Sequence, residues 1–381
     1  MRICHVVESA GGGSGQAVID LARAGLAEGD DVTVVYAPNR AEPSFVRSLT
    51  AIDGVRIVET PMRYGISAYD LLDGWRLYHR LRRNGPFDVL HGHSSKAGAL
   101  VRLTGLALRE TLKVYTPHCF VSMDPDRSSV YLHVERMLSW LSDAIIVVSS
   151  FERDHAVRRI GIARNKVNFI ANGVANDNPT ERAAARSALG YRDDEFVLGF
   201  VGRLTDQKNP LRLLDAFAIA RRGHPSLRLA IVGDGPMRSV TESRAARHRV
   251  AEDVRCFGHR PGRALMAGFD ALICSSNYEG LPIVFLEALA AGVPIITTPV
   301  GGARECVVHG RTGFIAGGLA SHHLAQAILQ MMKLSDVERS HMSTNCRLHV
   351  DRFGGSLVAG ATRNLYVHLM RSNGTIPRNK G

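Results

Sequence analysis

Short apolar runs alternate with longer amphipathic segments along most of this 381-residue chain. Runs such as residues 144–149 are almost continuously apolar, which is typical of strands buried on both faces, and we predict residues 2–8 as the first such strand. The segments between them space their apolar residues as helices do. The repeated order strand, helix, strand predicts an α/β protein with parallel, doubly wound sheets.

The alternation occurs twice, and a polar segment separates the two series. Residues 173–195 are polar and include Pro179, which favours a crossing between two halves. We predict an N-terminal Rossmann-like domain over 1–175 and a C-terminal one over 176–381, with the last helix, about 356–370, able to pack back on the first domain. Ligands of such sheets bind beyond the carboxyl ends of the strands, so we expect a ligand cleft between the domains.

The stretch 275–294, SSNYEGLPIVFLEALAAGVP, predicts a loop, a helix and a stop. Pro282 suits the first turn of a helix, and a glycine and a proline end the segment. Glu279 in the loop and Glu287 in the helix place carboxylates in an apolar setting, where each needs a hydrogen-bonding partner. That partner is either a nearby protein group or a polyol tethered to a phosphate at the helix N-terminus.

A second polar cluster lies in GRLTDQKNP, residues 202–210. Asn209 followed by Pro210 predicts a helix cap and the first helical residue. Arg203 and Lys208 precede this helix start, and two cations beside a helix N-terminus suit a diphosphate. The alternative is that both are ordinary surface cations on a loop.

The charge distribution narrows the choice of ligands. The net charge is +11, and residues 181–381 carry most of it. Nucleic acid is the first partner that a basic protein suggests. The chain has only 6% aromatic residues and shows no zinc finger or helix-turn-helix pattern, so we expect no nucleic-acid partner. Phosphate ligands or an anionic membrane surface explain the charge as well.

The cysteines and the apolar stretches bear on location. Six cysteines are scattered without C-x-x-C spacing, so we expect neither a zinc site nor a disulfide framework, and the natural compartment is reducing. The start MRICHVVES enters a strand directly, so we expect no signal peptide. No apolar stretch approaches the ~18 residues that span a bilayer. We predict a cytoplasmic protein, or a peripheral one at the inner face of a membrane.

The segment 70–84, DLLDGWRLYHRLRRN, combines an apolar face with arginines. Such a helix either docks on the sheet with a solvated edge or lies against a membrane surface. We expect it to dock while its arginines also contact anionic lipid. The apolar positions are Leu71, Leu72, Trp75, Tyr78 and Leu81, and the arginines are Arg76, Arg80, Arg82 and Arg83.

Several motifs taken together resemble a known family. The runs GFVGRLTDQKNP, IVGDGP, FGHRP, YEGLPIVFLEALAAGVPII, PVGGARE and HGRTGF occur in that order over 199–315. They resemble the nucleotide-sugar half of the retaining family 4 glycosyltransferases, which have the GT-B fold. The N-terminal glycine loop and YTPHCF resemble the acceptor half. The resemblance covers nearly the whole chain and implies two doubly wound Rossmann-like domains facing a central cleft.

The resemblance also implies an activity and its residues. It implies a retaining hexosyltransferase of bacterial exopolysaccharide or lipopolysaccharide assembly, which takes a UDP or GDP sugar and uses no cofactor. Arg203 and Lys208 would bind the donor diphosphate, Glu279 the transferred sugar and Glu287 the ribose. His118 in YTPHCF would lie against the donor sugar, and it joins Glu279, Arg203 and Lys208 as an expected catalytic residue. Further expected donor contacts are Gly12, Gly13, His259, Arg260, Gly280, Leu281 and Ile283.

The glycine loop near the N-terminus has more than one interpretation. Gly12 and Gly13 allow close approach of the backbone to a ligand. The spacing is not G-x-G-x-x-G, which disfavours a dinucleotide site. Acceptor contact would fall to one of three following residues, namely Ser14, Gly15 and Gln16. His93 and Lys96, in HGHSSKAG, are weaker candidates for the kind of contact expected of His118.

Metal binding has two weak signals. His91-x-His93 lacks a third ligand for a metal. Asp124-Pro-Asp126 matches the metal-binding Asp-x-Asp of the other large glycosyltransferase architecture, but its Ser/Pro/Asp-rich context predicts a turn. We therefore expect no metal site, because Arg203 and Lys208 supply the charge that a cation would.

Three alternative activities stay open within this pattern. A nucleotide-sugar epimerase would share the fold. A phosphorylase would need a lysine for pyridoxal phosphate, and no lysine of the second half lies in a suitable motif. A non-catalytic nucleotide-binding module would still bind nucleotide without His118 and Glu279, and it would show no turnover.

Overall fold

The structure is a computed structural model that describes residues 1–63, 65, 67–108, 110–174 and 180–374. The chain forms two compact units. One unit comprises Met1–Ala175 with Gly355–Gly381, and the other comprises Asn176–Gly354. Residues 175–179 of the predicted crossing lie outside the described residues.

The first unit is built on a seven-stranded parallel sheet in its described residues. The strand order is β3-β2-β1-β4-β5-β6-β7, so the order reverses between β1 and β4. The strands are β1 Arg2–Val7, β2 Asp31–Tyr36, β3 Arg56–Glu59, β4 Val89–His93, β5 Leu112–Thr116, β6 Ala144–Val147 and β7 Val167–Phe169. The helices are α1 Gly12–Ala27, α2 Pro43–Thr50, α3 Asp70–Asn84, α4 Ser95–Thr104, α5 Ser128–Ser139 and α6 Ser150–Asp154, which continues as a π-helical turn over His155–Ile160.

The second unit has a six-stranded parallel sheet in its described part, ordered β10-β9-β8-β11-β12-β13. The order reverses between β8 and β11. The strands are β8 Phe196–Val201, β9 Leu227–Val232, β10 Val254–Gly258, β11 Ala271–Cys274, β12 Ile295–Thr297 and β13 Gly313–Ile315. The helices are α7 Arg182–Leu189, α8 Pro210–Arg221, α9 Arg238–Arg247, α10 Gly262–Met266, α11 Ile283–Ala291, α12 Ala303–Cys306, α13 Ser321–Met332 and α14 Asp336–Val350.

Helix α15, Gly355–Ser372, closes the first unit. Its Tyr366 and Met370 are buried against the sheet residues Val89 and Val114. Arg363 pairs with the buried Asp30 at 2.9 Å, and the N-terminal ammonium bonds the same carboxylate at 2.7 Å. These contacts bring the last helix beside the first strand.

The predicted fold class is confirmed: the chain is an α/β protein with two parallel, Rossmann-like units. The near-continuous apolar runs became strands buried on both faces, because helices cover each side of the sheet. In each unit the reversal of strand order opens a crevice at the carboxyl ends of the central strands, where ligands of such sheets bind.

The segment predicted as the crossing contains a helix that the sequence analysis did not predict. Residues 182–189 form helix α7. Arg186 of this helix is buried, and its guanidinium donates to the carbonyl oxygens of Gly268 and Glu195 and pairs with Asp270. A charged residue thus fills a core position because its hydrogen bonds are satisfied there.

The apolar face that the sequence indicates for α3 is also only partly correct. Leu77 and Leu81 are buried, whereas Leu71 is 86% and Trp75 is 60% exposed. These two large apolar side chains therefore lie in solvent in the first half of this helix. No helix in the described part of the chain is long and apolar enough to cross a bilayer.

Candidate active site

The predicted diphosphate residues lie at the carboxyl edge of the second sheet, where the strand order reverses. Arg203 and Lys208 follow β8, and Glu279 follows the neighbouring strand β11. Arg203 is exposed, and no hydrogen bond or ion pair joins it to another described residue. The structure therefore brings Lys208 and Glu279 together and leaves Arg203 available at the same edge.

The helix start after Lys208 has the local structure that the sequence predicts. Asn209 caps α8, and its side chain accepts a hydrogen bond from the backbone N–H of Arg212 at 3.0 Å. Pro210 occupies the first helical position. Asn209 has a φ of 46°, a left-handed conformation that asparagine tolerates better than most residues. The cap fixes the direction in which the preceding loop enters the helix.

Hydrogen bonds connect the loop after β8 to the loop after β11. The backbone N–H of Asn277 donates to Gln207 at 2.7 Å, and the Ser275 hydroxyl donates to the carbonyl of Lys208 at 2.8 Å. The Gln207 amide donates to the carbonyl of Tyr278 at 3.1 Å. Each of the two loops thus donates hydrogen bonds to the backbone of the other, and these bonds hold Lys208 and Glu279 close together.

Lys208 and Glu279 form a direct ion pair at 2.6 Å. The Ser276 hydroxyl donates to the same carboxylate oxygen at 2.6 Å, and Glu279 is only 6% exposed. A buried carboxylate needs such partners. For Glu279 the partners are protein groups, which is the first of the two alternatives that the sequence leaves open. The pair also places a cation and an acceptor of hydroxyl hydrogens side by side at the edge of the sheet.

Helix α11 begins immediately after this loop. Its first residue, Ile283, follows Pro282, and the loop residues Gly280 and Leu281 are buried. A Cβ at Gly301 would collide with the carbonyl oxygen of Glu279. The glycine allows the loop after β12 to press against this carbonyl, which fixes the loop in front of the helix.

Glu287 lies on α11, one turn after Ile283. The side chain is half-buried on a helix whose other residues are mostly buried and apolar. Its position gives a carboxylate beside the carboxyl edge of the sheet, where the sequence predicts a ribose contact.

His259 and Arg260 follow β10, and both are exposed. The Arg260 guanidinium lies over the Phe257 ring at 5.6 Å. The pKa of Asp234, in the turn after β9, is lowered first by the hydrogen bond from the Gly235 N–H and then by Arg238, and His259 adds the smallest of these effects. Among the described residues no hydrogen bond connects these two side chains to Lys208 or Glu279.

In the first unit His118 lies two residues beyond β5 in a left-handed conformation, with φ of 57°, and Cys119 follows with φ of 135°. The residue is half-buried, and its Nδ1 atom is buried without a partner at hydrogen-bond distance. Burial lowers the pKa of His118 to about 4, although a nearby Asn172 side chain favours its charged form. The ring is therefore neutral at pH 7.

His118 lines a cavity at the carboxyl edge of the first sheet. The cavity is bounded by strand ends, helix α1 and the start of α15. Imidazoles, a carboxylate, an amide and a hydroxyl meet there, and such groups bond hydroxyls. The cavity has a volume of about 40 Å³, so it has room for water molecules or a hydroxyl group of a ligand rather than for a whole sugar. Its polar lining residues are Asp20, His91, His93, Thr116, His118 and Asn172.

Histidines continue from His118 into the sheet. His118 Nε2 lies 3.0 Å from His93 Nδ1, and His93 Nε2 lies 3.1 Å from His5 Nδ1. His91 belongs to a separate branch, since its nitrogens lie 2.6 Å from the Tyr366 hydroxyl and 2.7 Å from a threonine hydroxyl. Burial holds the pKa of His93 and of His91 well below the usual value, and that of His5 at about 4.

Three of these histidines are close enough to hold one metal ion. One nitrogen each of His5, His91 and His93 lies within 4.8 Å of the others. The sequence analysis found no third ligand, but β1 supplies one because His5 pairs with His91 across the sheet. Hydrogen bonds already use these nitrogens, and a metal would have to replace them. The geometry therefore favours a hydrogen-bonded cluster.

The other first-unit candidates have structural partners. Gly12 and Gly13 are exposed and form the first turn of α1, so the glycine loop is shorter than the sequence indicates. The Ser14 hydroxyl donates to the carbonyl of Ser9 at 2.7 Å. Lys96 pairs with Asp70 on α3, which makes it a link between helices α3 and α4.

The remaining first-unit candidates are Gln16 and Gly15 in the glycine-rich segment and Asp124 in the Asp-x-Asp sequence. Gln16 donates to Asp20 at 2.9 Å, which connects the glycine loop to a cavity residue; Gly15 is buried in α1. Asp124 accepts a hydrogen bond from the backbone N–H of Asp126 at 3.1 Å. The predicted turn at this Asp-x-Asp sequence is confirmed.

Sequence reasoning missed His5, Asp20 and Asn172. A signal for His5 was present, since the doubly wound order places β1 beside β4 and a histidine on β1 then faces His91. Asn172 lies just past β7 and had no distinguishing neighbour in the sequence.

Two family models match the chain, one in each half. The model described as Glycosyltransferase Family 4 matches residues 11–178, and the model described as Glycosyl transferases group 1 matches residues 181–349. The fold, the carboxyl-edge sites and these matches define a glycosyltransferase of the GT-B type. The chain belongs to the family 4 glycosyltransferases.

Known proteins similar to this chain agree with that assignment. A glycogen synthase of Mycobacterium tuberculosis (strain H37Rv) is 29% identical over 94% of this chain and 92% of its own length. An Escherichia coli UDP-Gal:alpha-D-GlcNAc-diphosphoundecaprenol alpha-1,3-galactosyltransferase is 25% identical over 71% of this chain and 72% of its own. The crystal structure of Anabaena Alr3699/HepE with UDP and glucose superposes with a TM-score of 0.82, at 21% identity over 97% of this chain and 100% of that one.

Proposed function

We propose that the protein is a retaining glycosyltransferase that moves a hexose from a UDP or GDP sugar to a saccharide or lipid-linked acceptor in exopolysaccharide or lipopolysaccharide assembly. The observation that carries the proposal is the Lys208–Glu279 pair beside the exposed Arg203 at the carboxyl edge of the second sheet. The UDP in the HepE structure and the lipid-linked acceptor in the galactosyltransferase name support the two substrate classes.

The donor would bind along this edge. Arg203 and Lys208 would hold the diphosphate, and the N–H groups at the start of α11, including that of Ile283, would add donors. Pro282 has no N–H to give. Glu287 would bind the ribose hydroxyls, and Glu279 would accept a hydrogen bond from a sugar hydroxyl. The nucleobase would lie near His259 and Arg260.

The chemistry would be a front-face displacement. Glu279 is already bonded to a lysine and a serine, so it serves as a hydrogen-bond acceptor rather than as a covalent nucleophile. The bond between the anomeric carbon and the diphosphate oxygen breaks as the acceptor oxygen attacks from the same face. The leaving phosphate takes the proton of the acceptor hydroxyl. Arg203 and Lys208 would stabilise the charge that develops on the diphosphate, so we propose that no metal is required.

The first unit would supply the acceptor side of the site, and its His118, Gly12 and Gly13 would also contact the donor. Its cavity holds His118 and other polar side chains that bond hydroxyls. Gly12 and Gly13 lie at the exposed start of α1 and leave room for a ligand close to the backbone.

The experiment follows the anomeric configuration. The purified protein, without added metal and with EDTA present, is incubated with UDP- and GDP-hexoses and a lipid-linked saccharide acceptor, and the product is analysed by NMR. The proposal expects a product with the donor's α configuration. An inverted product, or interconversion of free nucleotide sugars without transfer, would contradict it.

We also propose that α3 brings the enzyme to an anionic membrane surface. Leu71 and Trp75 are exposed beside a row of arginines, and the buried Leu77 and Leu81 fix that orientation. Exposed apolar side chains among arginines suit the boundary between headgroups and acyl chains. All six cysteines are free, which agrees with a reducing compartment at the inner face of a membrane.

A further inference from the structure

His5, His93 and His118 form one continuous hydrogen-bonded row. His5 lies on β1, His93 ends β4, and His118 follows β5, so three neighbouring elements of the sheet each supply one ring. The two contacts are 3.1 Å between His5 Nδ1 and His93 Nε2, and 3.0 Å between His93 Nδ1 and His118 Nε2. His93 thus uses both nitrogens within the row.

Each ring of the row carries a single proton at neutral pH. His5 and His93 are buried, with 1% and 0% of their surface exposed. Burial lowers the pKa of all three imidazoles, so the neutral form prevails. A neutral imidazole has one N–H donor and one bare nitrogen that accepts.

The two contacts then couple the tautomers. If His93 carries its proton on Nδ1, it donates to His118 Nε2, and His118 must carry its own proton on Nδ1. His93 Nε2 is then an acceptor, so His5 donates from Nδ1. If His93 carries its proton on Nε2, the same reasoning places the proton of every ring on Nε2. The row has two states, and all three rings share one tautomer in each.

We propose that His5 and His93 are positioning residues that set the tautomer of His118, and so decide whether its Nδ1 atom presents a donor or an acceptor to a ligand hydroxyl in the cavity. Nδ1 is the nitrogen of His118 outside the row, and it is buried with no atom of the described residues at hydrogen-bond distance. The Asn172 side chain lines the same cavity and is close enough to favour the charged form of the ring. The ligand part of this inference rests on the proposed function. The coupling of the tautomers does not.

The consequence for a sugar ligand is specific. A hydroxyl can donate or accept, but its orientation must match the nitrogen it meets. A mixed population of His118 tautomers would present the wrong partner in a fraction of the molecules. Because the row links the three rings, His118 can change its tautomer only together with His93 and His5.

His91 provides a matched control. It is buried on the same sheet, and its ring lies 4.0 Å from that of His93. Both of its nitrogens bond hydroxyl groups, of Tyr366 and Thr116, and none bonds the row. A change at His91 should therefore leave the tautomer of His118 unchanged.

The test is long-range ¹H–¹⁵N NMR correlation on histidine-labelled protein at pH 7.5, which distinguishes protonated from bare ring nitrogens. His118→Gln and His93→Gln assign the signals. We compare the wild type with His5→Phe, His5→Asn and His91→Gln. Asparagine keeps an amide near the position of Nδ1 of His5, whereas phenylalanine removes both nitrogens.

The expected result is one shared tautomer for His5, His93 and His118 in the wild type. His5→Phe should give a mixture at His118, while His5→Asn and His91→Gln should keep a single form. Different tautomers at His5 and His118 in the wild type would overturn the proposal, and so would a His118 spectrum unchanged by His5→Phe. The wild-type comparison decides the matter even where His5→Phe does not fold.

Kinetics separate the coupling from the proposed function. His5→Phe should lower kcat roughly 3- to 10-fold, the effect of one hydrogen bond, with the donor KM unchanged and with recovery in His5→Asn. If the tautomers are shared but His118→Gln transfers sugar at the wild-type rate, the role of His118 in the proposed function fails while the coupled row stands. If kcat of His5→Phe equals that of the wild type, the row does not serve catalysis and the proposal is overturned.

Discussion

Lys208 and Glu279 form an ion pair at 2.6 Å between the loop after β8 and the loop after β11. A hydrogen bond from Ser275 to the Lys208 carbonyl also joins these two loops. The pair explains why each charge is tolerated at the edge of a largely apolar unit. It also means that replacing either residue has two effects. The variant loses the ligand contact that we propose, and it removes the opposite charge beside its partner.

Lys208→Met should lower kcat by about 100- to 1,000-fold, because a cation that stabilises the leaving diphosphate is lost. Steady-state transfer assays at saturating donor measure this effect. Lys333→Met is the matched control, since Lys333 is exposed in the same unit. Equal activity of the two variants would remove Lys208 from the catalytic site.

For single residues, the sequence predicts a role correctly where that role depends only on neighbouring residues in the chain. Asn209 and Pro210 predict a helix start through their own conformational preferences. Asn209 is the N-cap of α8 and Pro210 is its first residue, as predicted. His5 gives no local signal, because its meaning depends on the strand that pairs with β1. The ion pair of Lys208 with Glu279 was equally hidden, since 71 residues separate the two in the chain.

Helix α7 buries an arginine that the local sequence gives no reason to place in a core. It lies in a polar segment of the chain, yet its Arg186 is 2% exposed and bonds two backbone carbonyls and Asp270. Sequence patterns count arginine as a surface residue. The hydrogen-bond acceptors that make burial possible come from the segments near residue 195 and 268–270, so the pattern of α7 alone cannot reveal them.

Arg186→Met should lower the free energy of unfolding of the second unit by about 3–5 kcal/mol, because it leaves the carbonyls of Gly268 and Glu195 without their buried donor and removes one of the two arginines that pair with Asp270. Urea denaturation followed by circular dichroism measures it. Arg182→Met is the control: Arg182 binds the same Asp270 from the same helix but is half exposed, and its loss should cost less than about 1 kcal/mol. Similar losses in both variants would contradict this account of α7.

Helix α3 should bind anionic vesicles through its arginines. Changing Arg76, Arg80, Arg82 and Arg83 to glutamine should abolish co-sedimentation with phosphatidylglycerol vesicles, because each basic residue near the surface adds about 1 kcal/mol. The control variant loses the same charge from exposed arginines of the second unit, namely Arg222, Arg247, Arg311 and Arg352. Binding that survives in the α3 variant, or is lost equally in the control, would disprove the proposed surface.

The buried histidines make the stability of the whole molecule sensitive to acid. The pKa values of His5, His118 and His155 are lowered to about 4 by burial, whereas an unfolded histidine titrates near 6.5. Between those values the unfolded chain binds more protons, so stability is present above pH 6.5 and is lost as the pH falls towards 4. Glu152 acts oppositely, with its pKa raised to about 7 by burial, but it is one group against several.

Urea denaturation at pH 7, 6 and 5 should therefore show a decreasing free energy of unfolding, by up to about 1.4 kcal/mol per pH unit for each buried histidine. His155→Gln should flatten the dependence, and the exposed control His322→Gln should not. A stability that is constant or rises from pH 7 to pH 5 would show that these histidines are not held neutral.

The central claim is that a nucleoside diphosphate binds at Arg203 and Lys208, and calorimetric titration tests it most directly. UDP, GDP and ADP are titrated without metal into the wild type, the Arg203→Ala/Lys208→Ala variant and a charge-matched Arg222→Ala/Lys333→Ala control. We predict micromolar binding of UDP or GDP to the wild type and the control, and its loss in the first variant. Binding of no nucleotide, or equal binding by all three proteins, would contradict the account.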